Sequence, residues 1–291
     1  MSNESHQHSV PLNKPADPSV VRVLRLLNQT APSANCEYFV AGATARDLVL
    51  VNVHGLRPGR ATRDIDFGIA VESWRQFELL KERLIATREF AADPRMQQRL
   101  TFTDRSDGLT IPVDLIPFRG IPSADGTIAW PPSREIVMNV AGFEEAFRSS
   151  VLIEVENGLM VHVASTPGLT LLKLMAWADR GWETSKDAAD LYRLLTAYAD
   201  AGNTDRLYDQ EMDLLGAVAF DMELAGAELL GRDVVAICSK PVLDQVRSLL
   251  TSEHNRGRLV NQMVQTSTHA EAAPAVDRIV GGFLRGLLSA R

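Results

Sequence analysis

Asp64 and Asp66 stand two residues apart in Asp64-Ile65-Asp66-Phe67-Gly68-Ile69, a run that reads as a strand. Strand alternation turns both carboxylates to one face with their Cα atoms about 6.5 to 7 Å apart, a spacing from which both reach one divalent cation. Asp114 interrupts the otherwise apolar strand Ile111-Pro112-Val113-Asp114-Leu115-Ile116. An unpaired charge there is costly unless it binds a metal or faces a cleft. Three strand carboxylates of this kind suit Mg2+, which prefers oxygen ligands and keeps water and substrate phosphate in its shell, with Mn2+ as the alternative. An isolated Asp-x-Asp fits a solvated edge or an ion pair equally well, so the neighbouring parts must decide.

About twenty residues upstream, Tyr38-Phe39-Val40-Ala41 reads as a short buried strand that stops at Gly42, and Gly42-Ala43-Thr44-Ala45-Arg46-Asp47 opens a helix directly beneath it. A turn of small residues at a helix N-terminus lets backbone N–H groups approach a phosphate, whose charge the helix dipole favours. Plainer readings exist for both polar features: Gly42 as turn punctuation, and Arg46 paired with Asp47 or another surface carboxylate.

The elements that must hold these groups mix strand and helix up to residue 163. Val20 to Leu27 carries helical spacing, and Trp74, Phe77, Leu80 and Leu84 form the stripe of an amphipathic helix packed on a sheet. Arg99 to Thr103 and Ile111 to Phe118 are strands joined across the hairpin signal Asp107-Gly108. Val151 to Val155 and Leu159 to Val163 flank a second such signal, Asn157-Gly158. From Ser165 or Thr166, which can cap a helix taking Pro167 in its first turn, the texture turns helical. Leu169 to Ala178 is apolar nearly all round. Helices near Leu191 to Tyr198 and over 208 to 230, 240 to 252 and 274 to 288 follow, with Gly231 suited to a C-terminal stop. The expected organisation is a flexible arm over 1–18, a mixed domain over 19–164 and a helical domain over 165–291, an α+β fold class.

Composition bounds the rest. The 291 residues carry a net charge of -7 and are 45% hydrophobic, which suits two soluble domains of about 150 residues each and opposes broad adhesion to nucleic acid or anionic membrane. No apolar run approaches the ~18 residues of a spanning helix, no targeting signal is visible, and Cys36 and Cys238 cannot build a disulfide framework. A cytoplasmic location without membrane contact is the expectation. His6 and His8 read as solvated. The chain lacks a Gly-x-Ser-x-Gly elbow, a His-Glu-x-x-His helix, a Walker A loop and a Gly-x-Gly-x-x-Gly turn, so hydrolase, ATPase and dehydrogenase readings lose their usual support.

The segments Gly42-Ala43-Thr44-Ala45-Arg46-Asp47-Leu48, Thr62-Arg63-Asp64-Ile65-Asp66-Phe67 and Val113-Asp114-Leu115-Ile116 together resemble the nucleotidyltransferase superfamily that includes DNA polymerase beta and the CCA-adding enzymes. The first is similar to a Gly-Gly-x-x-Arg-Asp start, with Ala41 in place of its first glycine. Leu171-Leu172-Lys173-Leu174-Met175-Ala176-Trp177-Ala178-Asp179-Arg180, followed by Lys186-Asp187-Ala188-Ala189-Asp190-Leu191, is similar to nucleotidyltransferases of the AbiEii abortive-infection toxin type, and the similarity spans roughly residues 36 to 198. It implies a nucleotidyltransferase-type mixed sheet flanked by helices, then a helical domain that closes over the nucleotide. By the same resemblance, Asp64 and Asp66 hold two Mg2+ ions, Asp114 ligates one and helps activate the acceptor hydroxyl, and an NTP is the substrate. Gly42, Ala43, Thr44 and Arg46 become candidates for phosphate contact. Two metals about 3.5 to 4 Å apart can stabilise the attacking and leaving oxygens of one in-line displacement, which leaves little covalent work to the protein.

Lys173 lies mid-helix among Leu171, Leu172, Leu174 and Met175, where burial would depress its charge. A triphosphate would supply a counterion, unless the stem snorkels to water. Arg180, one heptad on, could reach the same anion. Lys186 and Asp187 are divided between a nucleotide role and a structural bridge, and Trp130-Pro131-Pro132 reads as a rigid loop rather than a base-stacking platform. The leading function is Mg2+-dependent transfer of a nucleotidyl group from an NTP to an acceptor hydroxyl. The toxin-type resemblance points to tRNA or protein as acceptor and to a cognate antitoxin as partner. A small-molecule antibiotic nucleotidyltransferase and a non-catalytic nucleotide-binding regulatory module are the alternatives. An RNA acceptor would need a basic track, for which Arg46, Arg57, Arg60, Arg63, Arg95 and Arg99 are the candidates.

Overall fold

The computed structural model of the chain describes residues 9–60, 62–106, 108–266 and 273–289. His6, His8 and Asp107 of the sequence reading lie outside the described residues. The chain divides into two compact units, one of Met1–Ser123, Ile128–Ile136 and Ser150–Ser165, the other of Ala124–Thr127, Val137–Ser149 and Thr166–Arg291.

The first unit is built on an eight-stranded mixed sheet. Its strands are β1 (Val10–Pro11), β2 (Glu37–Ala41), β3 (Ile65–Val71), β4 (Phe90–Ala92), β5 (Arg99–Thr103), β6 (Thr110–Arg119), β9 (Val151–Glu156) and β10 (Leu159–Val163). They run in the order β1-β9-β10-β2-β3-β6-β5-β4, while β7 (Thr127–Ala129) and β8 (Val137–Asn139) lie outside this sheet. Helix α1 (Pro18–Thr30) begins where the Asp17 carboxylate accepts the N–H groups of Ser19 and Val20, with proline in the first turn. Helix α3 (Trp74–Ala86) is capped by Ser73 and buries Phe77, Leu80 and Leu84 as one stripe. The expected arm is held along part of its length. β1 pairs in parallel with β9, and the N–H groups of Asn13 and Lys14 both donate to the Asn52 carbonyl.

Between β2 and β3 the chain forms α2 (Gly42–Asp47) and continues as one π-helical segment over Leu48–Val53. The predicted helix is thus present and longer than its apolar run suggests.

The second unit is helical: α4 (Phe143–Arg148), α5 (Thr166–Arg180), α6 (Lys186–Ala197), α7 (Thr204–Asp209), α8 (Met212–Ala217), α9 (Met222–Ile237), α10 (Lys240–Thr251), α11 (Glu253–Thr266) and α12 (Ala273–Leu288). Its core gathers Leu171, Leu174, Trp177, Leu191, Leu195, Leu230 and Phe283, among others. Two expectations fail here. The segment 208–230 is broken by left-handed backbone at Ala219 and Phe220, and Gly231 lies inside α9 rather than ending it. A Cβ at Gly231 would fall 2.3 Å from the Phe283 carbonyl oxygen, and one at Gly286 would fall 2.0 Å from that of Glu228. Glycine is needed there because α9 and α12 cross at backbone contact. Helix α11 was not anticipated, since its buried positions Leu259, Val260 and Met263 follow a polar first half. Among the described residues no helix is long and apolar enough to cross a membrane.

Candidate active site

Strand register builds the carboxylate site of the first unit. Ala41 of β2 lies opposite Asp66 of β3, Asp66 opposite Asp114 of the parallel neighbour β6, and Asp114 opposite Arg99 of β5. Residues directly opposite share a face, with strands about 4.8 Å apart. One row across four strands therefore reads Ala41, Asp66, Asp114, Arg99. Gly42 continues from this row into α2 with φ of +61°, and a Cβ on it would lie 1.9 Å from Asp66 Oδ2. Backbone conformation and the Asp66 carboxylate each demand glycine at this position.

Asp114 is not an unpaired charge in an apolar strand. Arg99 donates from Nε to Oδ1 and from Nη2 to Oδ2, both at 2.7 Å, a two-point grip of the strong charge-assisted kind. This corrects the sequence reading twice: the charge of Asp114 is met by a side chain, and Arg99 leaves the basic track. The hydrogen bond to Asp114 raises the Arg99 pKa against the opposing effect of burial, and the charges of Asp114, Asp64 and Asp93 add to the rise.

Asp64 sits in the loop immediately before β3, where its carbonyl accepts the Thr44 hydroxyl at 3.4 Å. It lines a cavity of about 300 Å³ together with Thr44, Asp47, Asn52, Arg63 and Thr110, whereas Asp66 and Asp114 are outside that lining. Among the described residues no group of three or more His, Cys, Asp or Glu side chains is gathered to hold a metal ion. The expected three-carboxylate set is therefore two carboxylates side by side, a third two residues upstream, and a guanidinium on Asp114. The donors are all carboxylate oxygens, which fits Mg2+ or Mn2+, with Arg99 supplying positive charge to the row.

Other candidates resolve toward their plainer readings. The Arg46 side chain is 2% exposed, with Nε donating to Asp47 Oδ1 at 2.9 Å and Nη2 to the Arg60 carbonyl at 3.0 Å. It is a strut within the first unit and no part of a surface track. Ala43 is buried, so a phosphate could meet only its backbone. Trp130 is 2% exposed and packs on Trp74 and Phe77, which removes it as a stacking platform. Arg57, Arg60, Arg63 and Arg95 remain exposed.

In the second unit α5 and α6 carry a separate cluster. Lys173 Nζ lies 3.0 Å from Asp187 Oδ1 and 2.7 Å from Asp190 Oδ2, and Arg180 Nε lies 2.8 Å from Asp187 Oδ2. Burial pushes the Lys173 amine down, but the charges of Asp190 and Asp187 outweigh it and leave the pKa raised. Lys173 thus does not snorkel to water, because two carboxylates serve as its counterions. Burial would likewise raise the Asp187 carboxyl, yet the Arg180 hydrogen bond and the Lys173 charge hold it below its ordinary value. Lys186 is exposed at the start of α6, so the structural bridge of Asp187 runs to Lys173 and Arg180 instead.

Sequence reasoning missed two residues of these clusters. Asp190 carried a signal, since positions three apart on a helix share a face and Asp187 and Asp190 are so spaced. For Arg99 the signal was the expected hairpin of its strand with that of Asp114, although which residues fall opposite depends on the register.

Comparison with known proteins places these features in context. The profile of the family described as Nucleotidyl transferase AbiEii toxin, Type IV TA system, matches residues 25–277. No curated protein sequence matches the chain. Among solved structures, an antigenic nucleotidyltransferase-like protein from Paracoccidioides brasiliensis is 15% identical over 70% of this chain and 93% of its own, with a TM-score of 0.43. The antibiotic-resistance factor ANT(2'')-Ia is 15% identical over 70% of this chain and 97% of its own, with a TM-score of 0.38. The protein JHP933 from Helicobacter pylori is 14% identical over 94% and 93%, with a TM-score of 0.37.

Proposed function

Because the chain belongs to the AbiEii nucleotidyl transferase family and is a nucleotidyltransferase, we propose that it moves a nucleotidyl group from an NTP to an acceptor hydroxyl, with Mg2+ or Mn2+ held by Asp64, Asp66 and Asp114. The observation that carries this reading is the register of β3 on β6, which sets Asp66 beside Asp114 next to the glycine turn at Gly42. A divalent cation bound there would neutralise charge on the triphosphate and on the leaving oxygen. In this reading the backbone N–H groups of the turn Gly42 to Thr44 receive phosphate oxygens, as small residues at a helix start allow. In this reading Asp114, once released from Arg99, accepts the proton of the attacking hydroxyl. Lys173 and Arg180 would meet a phosphate only in exchange for the carboxylate of Asp187 that they now hold.

For the acceptor we propose RNA, supported by the exposed Arg57, Arg60 and Arg63 in the segment leading into β3. The family's description as a toxin of a type IV toxin–antitoxin system adds a cognate antitoxin as partner and a cytoplasmic site of action, where NTPs and RNA coexist. The test is to incubate the protein with each labelled NTP, Mg2+, total cellular RNA and lysate. The expected outcome is label on RNA that falls on the order of ten- to a hundredfold between 50 and 200 mM salt, as a few neutralised phosphates release counterions. Label on protein, or labelling indifferent to salt, would reject RNA as acceptor. Retained NTP binding with no label anywhere would leave the regulatory-module alternative.

A further inference from the structure

The carboxylate row contains its own cation. Asp114 has Asp66 beside it on β3 and Arg99 on its other side on β5, and both of its oxygens accept guanidinium N–H groups at 2.7 Å. The Arg99 side chain is one-quarter exposed while that of Asp114 is half as accessible, so the arginine occupies much of the approach to the carboxylate. The guanidinium takes a lone pair on each oxygen of Asp114, and a divalent cation drawn to the same carboxylate meets its positive charge at close range and is repelled.

We propose that Arg99 is the resident counterion of Asp114, which a divalent cation must displace to engage that carboxylate, so that Arg99 sets how readily the row takes up cation. Arg99 is in this sense a positioning residue: it keeps Asp114 neutralised and oriented until the cation arrives. The pairing accounts for the burial of Asp114, since a carboxylate left alone in that setting would carry the full desolvation penalty. The proposal rests on the reading of these carboxylates as cation ligands, and the experiment separates the two.

Mn2+ binding to the full chain without nucleotide is measured by electron paramagnetic resonance for wild type, Arg99→Gln, Arg99→Lys and the Asp64→Asn/Asp66→Asn pair. Removing the competing charge in Arg99→Gln should tighten Mn2+ binding about tenfold. Arg99→Lys keeps the charge without the two-point grip and should fall between. A second readout needs no substitution: in 15N-arginine-labelled wild type, Mg2+ titration should speed solvent exchange of the Arg99 Nε–H as the ion pair opens. If wild type binds Mn2+ and the double carboxylate variant does not, yet the Arg99 variants bind as wild type and Nε–H exchange is unmoved, the counterion role is overturned and the cation site stands. If wild type itself binds no Mn2+, the cation reading fails and the proposal with it.

Discussion

Two clusters of charge, one in each unit, differ in how their carboxylates are held. In the helical unit Lys173 and Arg180 face Asp187 and Asp190, two positive charges against two negative, with Asp187 only 1% exposed. In the sheet unit Arg99 grips Asp114 with two hydrogen bonds, Asp66 stands beside Asp114 in the row, and Asp64 lies in the loop before β3. A balanced cluster satisfies itself, and its members act as struts whose loss leaves a partner stranded. In the sheet unit two carboxylates of neighbouring strands stand side by side, the arrangement we propose to take up a cation. The difference teaches that the residues a family pattern singles out need not do the same kind of work: those on α5 and α6 pair with one another, and those on β3 and β6 are the ones we propose to hold a cation.

Substitutions can break this contrast. The largest expected effect is on activity: Asp64→Asn with Asp66→Asn should reduce nucleotidyl labelling to background while the thermal midpoint stays level or rises, because mutual carboxylate repulsion is relieved. A marked fall in midpoint would make these carboxylates struts as well and erase the distinction. Next comes Lys173→Met, which removes the cation that Asp187 and Asp190 share. Breaking a buried pair from one side costs about 3 to 5 kcal/mol, to be read from chemical denaturation. Unaltered stability would mean the α5–α6 cluster is not self-supporting.

The smallest effect is on pH dependence, and it sharpens the contrast. The depressed Asp187 pKa contributes stability that is present above the unfolded-state value of about 3.9 and is lost as pH falls through the folded one. The raised Lys173 pKa contributes stability present below about 10.4 and lost as pH rises beyond it through the folded value. Melting of the wild type should therefore drop below about pH 4 and again above about pH 10.5. Asp187→Asn should flatten the acid limb, and an acid limb unmoved by that substitution would show that other carboxylates govern it.

Much of the fold was legible because its signals are local. The alternation around Ile65 and Ile69, the stripe Phe77, Leu80 and Leu84, the Asn157-Gly158 turn and Pro167 after Thr166 each act within a few residues, and β3, α3, the β9–β10 hairpin and α5 follow from them. Gly231 misled for the same reason. By its own neighbours it reads as a helix end, whereas its use lies in the backbone of α12, more than fifty residues away. Arg46 was legible in part, since its pairing with the adjacent Asp47 is local, whereas its burial and its bond to the Arg60 carbonyl, like the grip of Arg99 on Asp114, depend on packing.

By itself, then, the sequence determined the strand, turn and helix that carry Gly42, the two-residue spacing of Asp64 and Asp66, and the apolar setting that made Asp114 and Lys173 demand explanation, since period, capping and turn chemistry are properties of short segments. Only the tertiary structure decided what meets those charges. The order β2-β3-β6-β5 put Asp66 and Arg99 on either side of Asp114, and the packing of α5 on α6 gave Lys173 two carboxylates. The physical reason is that strand order, register and helix contact bring together residues distant in the chain, and the energy of a buried charge is set by whatever then lies within about 3 Å of it.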